Sequence, residues 1–190
     1  MNRRDFEGVV LARHGETDYN RSRRFQGWLP VPLNARGREQ AAELAERAAD
    51  GGFVCMWASP LERARETAAV VAARISLPPR EDARLKETET GAWTGLLFSE
   101  VAAVEPEQLK RFLAGDPEFA FPGGESFAQH RARVMEVLEE VAAGPKPALV
   151  VCHGVVIRLA LSSLEGPERA LAAPVENAAL VPLGGAPEAA

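Results

Sequence analysis

Three short, uninterrupted apolar runs constrain what this chain can fold into: Val9–Ala12, Phe53–Ala58 and Ala148–Cys152. Runs without polar alternation must be covered on both faces, so each reads as a strand inside a parallel sheet. Helical periodicity fills the intervals. Gly37 to Ala49 places Ala41, Leu44, Ala45 and Ala48 on one side and Glu39, Glu43, Glu46 and Arg47 on the other, and Gly51-Gly52 ends it. Ser-Pro-Leu-Glu at 59–62 predicts a helix start. Ser59 would be the cap, Pro60 the first position and Glu62 the second half of a capping box, with the helix running to Ile75. Helical pattern returns over 99–114, 125–142 and 155–164, whereas 178–183 reads as a last strand. Residues 15–35 and 80–98 read as irregular. Strands alternating with helices predict an α/β three-layer sandwich, a mostly parallel central sheet with helices on both faces. The 190 residues fit one domain spanning 1–190, with 183–190 as a flexible tail.

Composition excludes several classes. Hydrophobic residues at 46% and charged residues at 26% rule out bulk disorder. A net charge of -5 argues against nucleic acid as a partner, which would want a basic face. No apolar run approaches the ~18 residues of a membrane span, and the run after Arg3-Arg4 is too short for a signal peptide. Cys55 and Cys152 sit in apolar runs and read as buried free thiols of a cytoplasmic protein. Paired Cys or His at the short spacing of a structural zinc site is absent from the sequence, so no metal and no cofactor is expected.

The chain holds three histidines: His14, His130 and His153. Two of them directly follow predicted strands, and ligands of open α/β sheets bind beyond the carboxyl ends of strands. A lone histidine there reads as a strand cap with a satisfied hydrogen bond. Two at equivalent places, each followed by glycine (Gly15, Gly154), point to one crevice, glycine allowing close backbone approach and a free N–H. An arginine after a buried strand is costly unless an anion pairs with it, which singles out Arg13. Arg13 and His14 share one site only if regular strand geometry ends there. Arg63 falls in the first turn of its helix, where the dipole favours anions, while Arg65 reads as a solvated charge. Two histidines, two arginines and helix-terminal N–H groups suit a phosphoryl group. His130 lies in the long helix and reads as scaffold or surface.

The string Leu-Ala-Arg-His-Gly-Glu-Thr-Asp-Tyr-Asn at 11–20 resembles the signature of the histidine phosphatase superfamily, the phosphoglycerate mutase-like family. The likeness continues through R-F-Q-G-W at 24–28, S-P-L-E-R-A-R-E-T-A at 59–68, L-K-E at 85–87, G-A-W-T-G at 91–95, P-G-G-E-S at 122–126 and C-H-G-V-V-I-R at 152–158. The resemblance implies His14 as a nucleophile forming a phosphohistidine, with Arg13, Arg63 and His153 stabilising charge on the transferred group. It implies Glu87 as general acid and base, with Glu89 as its rival by position. Thr17, Asn20, Gln26, Gly27 and Gly154 match substrate-binding positions. Two departures bear on substrate contacts. Thr94 stands where members often carry an acidic residue, and Ala178-Ala179 stands where many carry a serine after the asparagine matching Asn177.

The resemblance implies a phosphatase of small phosphomonoesters, a small phosphorylated metabolite being the expected partner. The alternative is a cofactor-dependent phosphoglycerate mutase. Mutases of that type are longer between acid and second histidine, and tend to carry Thr-Gly where this chain has Gln26-Gly27. An inactive phosphate-binding module ranks below both, since the whole implied set is present. Phe98, Phe112, Phe119 and Phe121 give segment 95–125 the character of either an apolar lid or a core. Trp28 and Trp93 read as loop packing, with either able to border the pocket. A homodimer is among the assemblies the sequence allows.

Overall fold

The computed structural model describes residues 2–166 and 174–184. The three apolar runs form β1 (Val9–Arg13), β2 (Cys55–Ala58) and β4 (Ala148–Cys152). Pro79–Glu81 adds β3 and Leu180–Pro182 adds β5. The sheet order is β3-β2-β4-β1-β5, parallel except for β5, which runs antiparallel to β1.

Side-chain parity explains why these strands needed apolar residues throughout. Val9, Leu11, Trp57, Ala148, Val150 and Cys152 pack on one face. Ala12, Met56, Ala58, Leu149 and Val151 pack on the other. Helices α2 (Ala35–Ala49) and α3 (Glu62–Ile75) cover the second face, and α6 (Phe127–Ala143) and α7 (Gly154–Glu165) cover the first. Each layer is buried by the next, as a doubly covered parallel sheet requires.

Five expectations change. The helix expected over 99–114 is two, α4 (Phe98–Val104) and α5 (Pro106–Ala114), because Pro106 lacks an N–H and pushes Glu105 out of helical geometry (φ -134°, ψ 54°). Helix α3 begins at Glu62 with Leu61 at its cap position and no side-chain cap. Ser59 stands two residues before that cap position, and its hydroxyl accepts from the Leu61 N–H and bonds to His153 instead. Cys152 is buried, but Cys55 is only half-buried, its thiol 3.1 Å from the Pro145 carbonyl. Leu183 is fully buried and its N–H donates to the Val9 carbonyl, so it belongs to the core rather than to a tail. Residues 185–190 of the expected tail lie outside the described residues. The loop after β1 also holds a short helix that periodicity did not show, α1 (Asp18–Arg21), capped by Thr17.

Segment 95–125 has a core of its own. Phe98, Phe112, Phe119 and Phe121 pack with Phe25, Trp93 and Phe127 above the carboxyl ends of the strands. Residues 23–25 bond across to 95–98, which ties this unit to the loop after β1.

Candidate active site

Strand register decides the first contact. Arg13 pairs with Cys152 across β1 and β4, so the next residues, His14 and His153, emerge side by side. Their ring centroids are 5.1 Å apart and both are buried. Strand geometry stops at Arg13, and beyond that stop Arg13 and His14 both line one cavity of about 120 Å3. Asn20, Gln26, Gly27, Arg63 and Glu87 complete its polar wall. Phe98, Phe112 and Phe121 close it, so the aromatic segment is a core that also roofs the cavity.

The His14 Nδ1 lies 2.7 Å from the Gly15 carbonyl. A carbonyl only accepts, so Nδ1 carries the proton and Nε2 keeps its lone pair. Burial, then the Arg63 and Arg13 cations, hold the His14 pKa well below its usual value, so the ring is neutral. The Gly15 N–H does not stay free as expected: it donates to the Thr67 hydroxyl at 3.1 Å. Its missing side chain serves packing instead, because a Cβ there would sit 2.3 Å from the Gly37 carbonyl oxygen.

Three buried nitrogens around His14 have no partner among the described residues: Arg13 Nε, Arg63 Nε and His153 Nδ1. Arg63 donates to the carbonyls of Gly27 (3.0 Å) and Leu29 (3.3 Å), and Arg13 to that of Val175. Carbonyls fix both guanidinium planes without cancelling their charge. Burial lowers the pKa of Arg13, and takes that of Arg63 down to about 10. His153 stands behind His14, its Nε2 2.7 Å from the Ser59 hydroxyl.

The Glu87 carboxylate accepts from the N–H groups of Thr88 (3.0 Å) and Val155 (3.2 Å), the latter in the first turn of α7. Glu89, the rival by position, is exposed and absent from the cavity wall. Thr17 is buried behind that wall, 3.0 Å from Asn20 Oδ1 and from Gln26 Oε1. Gly154 opens α7 against Arg13 rather than lining the cavity. Gly27 holds a positive φ of 48°, and a Cβ there would meet the Thr90 hydroxyl at 2.6 Å. Thr94 lies behind the wall, bonded to Thr90 at 2.7 Å. Ala178 and Ala179 bond to the end of β1 through main-chain groups, which any residue supplies, and Asn177 donates to the His14 carbonyl at 3.0 Å. Sequence reasoning passed over Ser59 as a partner of His153, and Arg24 and Thr90 as wall residues. Trp28 borders a neighbouring groove and donates to the Glu87 carbonyl, while Trp93 is buried in the aromatic cluster.

The geometry is matched by kinship. The model of the histidine phosphatase superfamily, branch 1, covers residues 9–188. This chain belongs to that superfamily. Among similar members, a metal-independent phosphoserine phosphatase of Arabidopsis thaliana is 39% identical over 155 residues, 79% of this chain and 65% of that one. The chain thus spans slightly less than two thirds of that relative's length. A probable phosphoglycerate mutase of Serratia proteamaculans is 34% identical, over 83% of this chain and 74% of its own. A mycobacterial glucosyl-3-phosphoglycerate phosphatase, solved in its native form, superposes with a TM-score of 0.79 at 34% identity, over 90% of this chain and 87% of its own. No helix among the described residues is long and apolar enough to cross a membrane. Nor do those residues bring together three His, Cys, Asp or Glu side chains that would hold a metal ion.

Proposed function

We propose that this histidine phosphatase hydrolyses small phosphomonoesters through a phosphohistidine on His14. The observation that carries the reading is the set of unpartnered buried nitrogens on Arg13, Arg63 and His153, grouped about a neutral imidazole. The two arginine Nε–H groups are buried donors, costly unless a ligand supplies acceptors, and a phosphoryl group supplies three equatorial oxygens.

In the first step the His14 Nε2 lone pair attacks phosphorus. The N–P bond forms as the ester P–O bond breaks, and the departing alkoxide takes a proton from the Glu87 carboxylic acid. Arg13, Arg63 and His153 stabilise the charge on the transferring oxygens. In the second step the Glu87 carboxylate takes a proton from water, whose oxygen attacks phosphorus. The N–P bond breaks, inorganic phosphate leaves, and Glu87 is protonated again. Asn20, Gln26 and Gly27 lie where the ester would be oriented, with Thr17 and Gly154 supporting the loops that present it.

The test is hydrolysis of an aryl phosphate with chelator present and no metal added. Activity should persist, and His14→Ala should abolish it together with the acid-labile phosphoenzyme. Loss of activity to chelator, or its survival in His14→Ala, would refute the mechanism. Similarity to a probable mutase makes one further assay informative: 3-phosphoglycerate with 2,3-bisphosphoglycerate. Phosphate release should exceed isomerisation, and the reverse would assign the chain to phosphotransfer.

A further inference from the structure

Helix α6 meets the loop that carries Glu87 through two buried or half-buried side chains. Arg133 donates from Nη1 to the carbonyls of Arg84 and Lys86, both at 2.7 Å, and from Nη2 to that of Glu87 at 2.9 Å. Its remaining face is forked onto Glu125 at 2.6 and 2.7 Å. Carbonyls from one short stretch of chain, residues 84–87, thus converge on one guanidinium. One helical turn earlier, His130 is fully buried and its Nδ1 lies 2.6 Å from the hydroxyl of Thr88, the residue after Glu87. Trp28 adds a bond of 2.7 Å to the same Glu87 carbonyl.

Among the described residues the Glu87 carboxylate accepts from the backbone N–H groups of Thr88 and Val155, and its aim therefore follows where the backbone of residues 84–88 sits. We infer that Arg133 and His130 are positioning residues, a clamp on α6 that holds the Glu87 carboxylate at the leaving-group side of the cavity. The inference rests on the reading of Glu87 as acid and base. Neither residue lines the cavity, so each acts through the loop. Glu125 keeps the guanidinium in register, which gives the Gly-Gly-Glu-Ser stretch at 123–126 a task beyond starting α6.

Leaving-group dependence separates aim from bulk stability. Nitrophenolate departs without a proton, whereas an alkoxide needs one, and kcat/KM reports the steps through departure of the alcohol. Arg133→Lys keeps the charge but loses the fork. Its kcat/KM for glycerol 3-phosphate should fall about 10- to 100-fold, the scale of an ångström-sized misplacement. For p-nitrophenyl phosphate the fall should stay under about 3-fold, and His130→Leu should show the same asymmetry more weakly. Glu87→Gln, run in parallel, should show the largest asymmetry, and melting temperatures read on every variant check folding. Equal falls for both esters, or no fall, in both α6 variants would overturn the clamp while leaving Glu87 in its role. A Glu87→Gln variant without asymmetry would overturn that role, and the clamp with it.

Discussion

Replacing Arg63 by methionine should stabilise the fold while destroying its activity. Arg63 is 1% exposed and forms no ion pair among the described residues. Its pKa falls from the ordinary guanidinium range to about 10, chiefly because burial strips water from the cation, with Glu87 offsetting part of the cost. That difference corresponds to about 3 kcal/mol borne by the folded protein. The sign follows from proton counting. Above pH 10, until the unfolded guanidinium itself titrates, the unfolded chain keeps a proton that the folded one has released, so stability rises with pH there, and below pH 10 the whole cost stands. Methionine removes the charge and fills an irregular space of similar length. What it gives up is modest: the Leu29 carbonyl keeps the Val31 N–H at 2.9 Å, so only the Gly27 carbonyl loses its partner, at about 1–2 kcal/mol. The net expectation is a gain of about 1–2 kcal/mol, or about 2–8 °C in melting temperature for a chain of this size.

The assay is thermal unfolding at neutral pH with and without inorganic phosphate, beside steady-state kinetics. Phosphate should stabilise the wild type by binding the native state, by about 2.7 kcal/mol at a hundredfold excess over Kd, and so raise its melting temperature. It should leave the methionine variant nearly unmoved, and kcat should fall about 10²- to 10³-fold. A variant that melts several degrees lower would refute the reasoning, since Arg63 would then be a structural tie and not a cation held in readiness.

The same geometry sets two other outcomes. The His14 pKa is held well below 6.5 by burial and two arginines, and in the proposed mechanism only the neutral ring attacks, so its protonation should not reduce kcat/KM until the pH is well under 6.5. A pH profile corrected for substrate ionisation tests this, and an acid limb at or above 6.5 contradicts it. Ser59→Ala leaves the His153 Nε2 buried without its partner, which should cost about 1–3 kcal/mol of stability and about 10-fold in kcat. Thermal unfolding and turnover at saturating substrate measure the two, and an unchanged kcat would separate Ser59 from the reaction.

Strands β1, β2 and β4 were legible because burial on both faces leaves a local mark, apolar residues at every position. His14, Arg13 and His153 were legible for the same reason, as polar residues that break such runs where a sheet meets its ligand. Ser59 was misread because its local signal is that of a helix cap, while its partner His153 lies 94 residues away. His130 gave no signal at all, since its contact with Thr88 spans 42 residues and depends on how α6 docks. The split between α4 and α5 was local and available: Pro106 alone requires it. The choice of Glu87 over Glu89 needed the family resemblance, because two carboxylates in one irregular loop differ only in which faces the cavity.

An acidic chain can build an anion site only if some of its cations escape its own carboxylates, and the hydrogen bonds show how. Arg36, Arg74, Arg84, Arg111 and Arg133, all away from the cavity, are paired with acidic side chains. Arg13, Arg24 and Arg63, which line it, bond instead to the carbonyls of Val175, Gly95, Gly27 and Leu29. A carboxylate would orient a guanidinium and neutralise it, whereas a carbonyl orients it and leaves the charge in place. The topology supplies those carbonyls. The chain leaves β1 toward α2 on one face and leaves β4 toward α7 on the other, so the crevice between the two strands is crossed by neither connection. Loops that fold back over it bring main-chain oxygens and few acids. The net charge of -5 is therefore no obstacle to binding a phosphoryl group, because the arginines that line the cavity form no ion pair among the described residues and keep their charge.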